Sequence, residues 1–104
     1  MPQPKNVEVI AASPDRLDVR GVLTFVTARR AYDAGLRALR KNGAPRLLID
    51  LSGVTESDSA GLAVLIEWLA VGTRAGRDVR FANLPEGIRA VAEIGGVADL
   101  LQPA

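Results

Sequence analysis

Between Leu47 and Trp68 the chain reads LLIDLSGVTESDSAGLAVLIEW: an apolar run, a polar stretch, Asp58-Ser59, and an apolar segment of helical composition. This order restricts the fold more than any other feature. A short apolar run bounded by turn residues reads as a buried strand, and the segment that follows reads as a helix packed on it. The connection sets a hydroxyl at a helix start. First-turn N–H groups lack partners and carry partial positive charge, so they favour an acceptor side chain, a phosphate or an acidic partner group. Ser59 is therefore the first candidate for function, with Asp58 beside it as a capping acid. An N-cap serine or aspartate stabilises a helix by ~1 kcal/mol with no further role, so the pair alone is a weak signal.

Around this unit the other elements can be placed by composition. Residues 1–6 read as a loose arm. Val7 to Ala11 and Arg16 to Leu23 read as a hairpin across the turn residues Ser13-Pro14-Asp15. A helix is expected from about Thr27 to Asn42, with Ala28, Tyr32, Leu36 and Leu39 on one face, Asp33 set to pair with Arg37, and Gly43 as its stop. Arg37, Arg40 and Lys41 suit its C-terminal dipole and read as a solvated face. The central strand is expected over Leu47 to Leu51, a loop over Ser52 to Ser57, and the second helix from Asp58 or Ser59 to Ala75, stopped by Gly76. Val79 to Ala82 is a short strand. Asn83, Pro85 and Glu86 have the arrangement of a helix cap for a third helix, which carries Ile88, Val91 and Ala92 and stops at Gly95-Gly96; Leu100 and Leu101 are expected to close the core. The order ββαβαβα predicts an α/β (or α+β) layer, a mixed sheet of about four strands with helices packed on it. At 104 residues, 48% hydrophobic and 24% charged, the chain is expected to form one domain over 1–104.

The second helix carries two apolar stripes. Leu62, Leu65, Ile66 and Leu69 suffice to dock it on a sheet, while Gly61, Val64, Trp68, Val71 and Ala75 lie on the opposite side. Either another helix of the domain covers that second stripe or a partner protein does. Trp68, the one tryptophan in the chain, favours the partner, because large aromatics anchor interfaces. The expected partner-binding residues are Ser59, Gly61, Val64, Trp68 and Val71.

Residue types remove several chemistries. The chain has no histidine, so no Ser-His-Asp triad can form at Ser59. Lys5 and Lys41 are the only lysines and neither neighbours a nucleophile in sequence. Neither a GxxxxGK[ST] loop nor a GxGxxG turn is present, and no catalytic activity or cofactor is expected. Asp50, Glu56 and Asp58 follow no metal-loop spacing and read as a strand-end carboxylate, a loop charge and a helix cap, with no metal assigned. A net charge of +1 indicates no nucleic-acid surface. The absence of cysteine fits a reducing cytoplasm. The opening Met-Pro-Gln-Pro-Lys lacks the apolar run of a secretory signal, and Ala60 to Val71, broken by Glu67, is too short to span a bilayer.

Taken together, Leu48-Ile49-Asp50-Leu51-Ser52, Asp58-Ser59-Ala60-Gly61-Leu62-Ala63, and Leu84-Pro85-Glu86 through Ile88, Ala92, Glu93 and Leu100-Leu101 resemble the STAS domain family. The resemblance runs from Leu17-Asp18-Val19-Arg20-Gly21-Val22-Leu23 to Leu101, and is strongest toward the small stand-alone STAS subunit of Mla-type phospholipid transporters. It implies a non-catalytic cytoplasmic subunit, peripheral to the inner membrane, which binds the ATPase subunit of an ABC transporter and supports outer-membrane lipid asymmetry. It also implies that Ser59 sits where anti-sigma factor antagonists carry a phosphorylated serine and where the transporter subunit commonly has threonine. The alternative is thus an antagonist switched by phosphorylation of Ser59, with an anti-sigma factor or serine kinase as partner. Whether the chain forms a homodimer is left open.

Overall fold

The computed structural model describes residues 5–41 and 43–101. Four strands form one mixed sheet in the order β1-β2-β3-β4. These are β1 (Val7–Ser13), β2 (Arg16–Leu23), β3 (Arg46–Ser57) and β4 (Asp78–Ala82), with α1 (Ala28–Lys41), α2 (Ser59–Arg74) and α3 (Glu86–Ile94) between and after them. A 3-10 turn, Ala98–Leu100, follows α3. β1 and β2 are antiparallel, whereas β2–β3 and β3–β4 are parallel. Two successive crossovers, each to the next strand in the same direction, place α1 and α2 on one face of the sheet when both take the usual right hand. The strand pattern agrees. Leu17, Val19, Leu47, Ile49, Leu51, Val79 and Phe81 are buried on the helix side, and the opposite parity carries Arg16, Asp18, Arg20, Ser52 and Arg80.

Several expectations need correction. The loop expected over Ser52 to Ser57 is strand: Gly53, Val54, Glu56 and Ser57 pair with Arg20, Gly21, Val22 and Leu23. β4 pairs only as far as Asp50, so this half of β3 is held by β2 alone and keeps polar residues in strand conformation. Residues 1–4 of the expected arm and the helix end at Asn42 lie outside the described residues. Lys5 and Asn6 are bonded to the body, through the Lys5–Glu56 ion pair at 2.9 Å and the Asn6 carbonyl, which accepts from Val22 N–H at 2.8 Å. Asp33 pairs with Arg29 rather than with Arg37. The cap residue of α3 is Pro85, with no side-chain cap bond, because Asn83 is turned elsewhere. Of the two leucines expected to close the core, Leu101 is buried and Leu100 is exposed.

Two helix ends illustrate how the sheet and helices are joined. Gly76 takes φ +76°, and Arg77 N–H reaches back to the Gly72 carbonyl at 3.0 Å, a left-handed stop that glycine makes without strain. The buried Arg77 then donates from Nε to Ala44 O at 2.7 Å and from Nη1 to Leu39 O at 3.2 Å. These bonds satisfy carbonyls at and just beyond the C-terminus of α1 from another part of the chain.

Candidate functional site

Asp58 caps α2. Its Oδ1 accepts from the N–H groups of Ala60 at 2.9 Å and Gly61 at 3.2 Å, which satisfies two first-turn donors. The other oxygen, Oδ2, accepts from Phe25 N–H at 3.1 Å. One carboxylate thereby ties the connection between β2 and α1 to the start of α2. Ser59, the first residue of α2, is exposed, and its hydroxyl makes no hydrogen bond to the described residues. The expected pair is therefore split by role, Asp58 holding the backbone and Ser59 presenting a free hydroxyl at the positive end of a helix.

The connection carries what the sequence reading missed. Phe25 is 78% exposed and Val26 49% exposed. Their backbone is nonetheless wired in place. Thr24 Oγ1 accepts from Val26 N–H at 3.2 Å, while the buried Thr27 hydroxyl accepts from Thr24 N–H at 3.2 Å and donates to Val22 O. The sequence signal for this connection is an adjacent Phe-Val pair lying between the second strand and the first helix. Beside this loop an open groove of about 460 Å³ runs between α1 and α2, walled by Ala28, Tyr32, Ala60 and Ala63, with Arg29 and Glu67 also lining it. The result is an apolar patch next to a free hydroxyl, on a backbone held by hydrogen bonds.

The expected docking stripe of α2 is largely internal. Trp68 is 0% exposed, its ring lies against Gly35 of α1, and its Nε1 donates to Tyr32 O at 3.3 Å. Val64 is buried, and Gly61 is pressed on the Leu23 carbonyl so closely that no side chain would fit. This corrects the reading of Trp68 as an exposed anchor. α1 covers Trp68 and the end of β2 meets Gly61, while Val71 is half-buried and Ala75, at the C-cap, is exposed.

The acidic residues also separate. Glu56 pairs with Lys5 and Asp58 caps α2, while Asp50 lies mid-strand under Arg16, Ser52 and Asn83. No group of three potential metal ligands occurs among the described residues. No helix of the described residues is long and apolar enough to cross a membrane.

This fold is similar to a chain of the Acinetobacter MlaFEDB complex in its ATP-bound Vtrans2 conformation, at 26% identity and TM-score 0.80 over 94% of this chain and 100% of that one. An anti-sigma factor antagonist from Mycobacterium paratuberculosis matches at 22% identity and TM-score 0.75, over 100% of this chain and 90% of that one. The unphosphorylated anti-sigma factor antagonist SpoIIAA matches at 12% identity and TM-score 0.72, over 95% and 88%. No curated protein sequence matches the chain. The family model described as Mlab, STAS domain matches residues 8–102, and the chain therefore belongs to the STAS domain family.

Proposed function

We propose that this chain is a non-catalytic, cytoplasmic STAS subunit of an ABC-type phospholipid transport system, peripheral to the inner membrane, that docks on the transporter's ATPase subunit. The observation that carries the reading is the likeness to the MlaFEDB chain, which is matched over its whole length at 26% identity. The antagonists, at 22% and 12%, share the fold. The contact is made by Phe25, Val26 and the mouth of the α1–α2 groove, with the Ser59 hydroxyl inside it. Exposed apolar side chains on a backbone already held by Asp58 and Thr27 lose little freedom on binding, which is what an interface anchor requires.

A second reading is favoured by one feature, the unbonded hydroxyl of Ser59. As an anti-sigma factor antagonist, the chain would be switched by a kinase, because a phosphate there adds a charge of about −1.5 to −2 beside Asp58 and expels a partner seated on the patch. Purification from the native host in mild detergent separates the two. The transporter reading expects an ABC-type ATPase with its permease, whereas a serine kinase or an anti-sigma factor in their place would overturn it.

A further inference from the structure

We propose that the outer edge of β1, from Val7 to Ala11, is a docking site for an extended acidic segment of another protein, which joins the sheet as an additional strand. Among the described residues β1 is an edge strand, paired with β2 alone. Beyond that pairing, Val7 to Ala11 make no further hydrogen bond among the described residues, so alternate N–H and C=O groups face outward without a protein partner. One charged residue, Glu8, guards this stretch, and it stands with Arg20 on the sheet face away from the Val9 and Ala11 groove. The stretch holds neither proline nor lysine, and the one irregularity in its pairing falls beyond it, between Ala11 and Ser13.

The charge beside the edge identifies the occupant. Val9 and Ala11 line a groove of about 240 Å³ against Ala34 and Ala38 of α1, and Arg37 and Lys41 stand at the same groove. Both cations are exposed, and neither forms an ion pair among the described residues, since Asp33 is taken by Arg29. A second copy of the chain, pairing edge to edge about a two-fold axis, would set α1 against α1 and these cations against their equivalents. Like charges in that position oppose the assembly. A strand with carboxylates at alternate positions instead lays its methylene stems along Val9 and Ala11 and carries its charges to Arg37 and Lys41. Its other face meets Glu8 and Ile10, so uncharged small or β-branched residues suit it and the acids are confined to the α1 side. Five residues, roughly 17 Å of strand, complete the match. Main-chain bonds then supply affinity and the alternating acids supply selectivity.

The test is an NMR titration of the full-length, nitrogen-15-labelled chain with the capped peptide Thr-Glu-Val-Glu-Val-Glu-Thr, alongside the same peptide with Lys for Glu. The acidic peptide is expected to shift amides of β1 and of the last turns of α1, and to slow hydrogen exchange at alternate β1 amides. Raising the salt to about 0.5 M weakens it at least about tenfold. The double variant Arg37→Glu/Lys41→Glu abolishes binding with unchanged circular dichroism, and Arg37→Gln/Lys41→Gln weakens it. Equal binding of the lysine peptide, shifts at Phe25 or the α1–α2 groove instead of β1, or no binding at about 1 mM peptide would overturn the proposal. So would a dimer in sedimentation whose β1 amides are already protected, since a second copy would then hold the edge.

Discussion

Asp50 lies on the face of the sheet away from the helices, yet it is buried, because three side chains converge on its carboxylate. Asn83 Nδ2 donates at 2.8 Å, Ser52 Oγ at 2.8 Å and Arg16 Nη2 at 3.0 Å. The Asn83 amide is the largest influence and holds the carboxyl below its ordinary value of 3.8. Burial opposes it, and Ser52 and Arg16 assist. Asn83 reaches this position with φ +58°, a left-handed conformation that asparagine tolerates better than most residues. Since the folded carboxyl is depressed, its stabilisation is fully present above the unfolded value near 3.8 and is lost as pH falls through the folded value. Asn83→Ala should cost about 1.5–3 kcal/mol at neutral pH and move the acid loss of stability to higher pH. Urea unfolding across the acid range checks this, and an unchanged pH profile would remove Asn83 from the account. Ser59 belongs to the same scale. Ser59→Asp places an acid in the first turn, where the helix dipole favours it by about 0.3–1 kcal/mol, so thermal stability should hold or rise. Partner affinity should fall. If wild type, Ser59→Asp and Ser59→Ala bind the ATPase equally, the hydroxyl has no part in docking.

At the level of elements, α1 and α2 are held together by a ring set where a glycine leaves room. A Cβ at Gly35 would fall inside the Trp68 indole. In an exposed helix interior, glycine to alanine gains about 1 kcal/mol, but overpacking a filled contact costs about 1–3 kcal/mol, and here no flexible side-chain end can give way. Gly35→Ala is therefore expected to destabilise the protein in chemical denaturation despite its better helix propensity. Trp68→Ala should cost about 3–5 kcal/mol through the cavity left behind. The free protein should show the blue-shifted emission of a buried indole, and added partner should leave it unchanged. A red-shifted spectrum that moves on binding would restore Trp68 as an interface anchor.

For the whole molecule, the parallel crossovers bring the end of β2, the end of β3 and the start of α2 together, and Asp58 locks the β2–α1 connection to α2. Phe25 is thereby exposed on a backbone that cannot easily retract it. Phe25→Asp should leave stability within about 0.5 kcal/mol, as for a surface change, yet, on the proposed docking, should release the ATPase during co-purification. Retention of the ATPase by that variant would place the docking surface elsewhere. Asp58→Ala should act through the same connection. It removes a cap worth about 0.5–2 kcal/mol and frees Phe25 N–H, so binding should weaken although Phe25 and Ser59 remain.

The sequence by itself determined the parts whose signals are local. The apolar run ending at Asp50, the Asp58-Ser59 start of α2, its stop at Gly76 and the four-strand mixed sheet could all be read in it, since capping, turn chemistry and periodicity act within a few residues. The Asp-Ser start and its flanking blocks also carried the family resemblance. Tertiary structure alone decided what covers each surface. Trp68 meets α1 through a residue 36 positions away, and Asn83 meets Asp50 across 33. Neither separation leaves a trace in local pattern. The second half of β3 is strand only because β2 lies beside it, and Phe25 is exposed only because the polar backbone around it is satisfied by Asp58 and Thr27. An apolar stripe records that a helix face must be covered; whether α1 or a partner covers it depends on which glycine lies opposite the tryptophan.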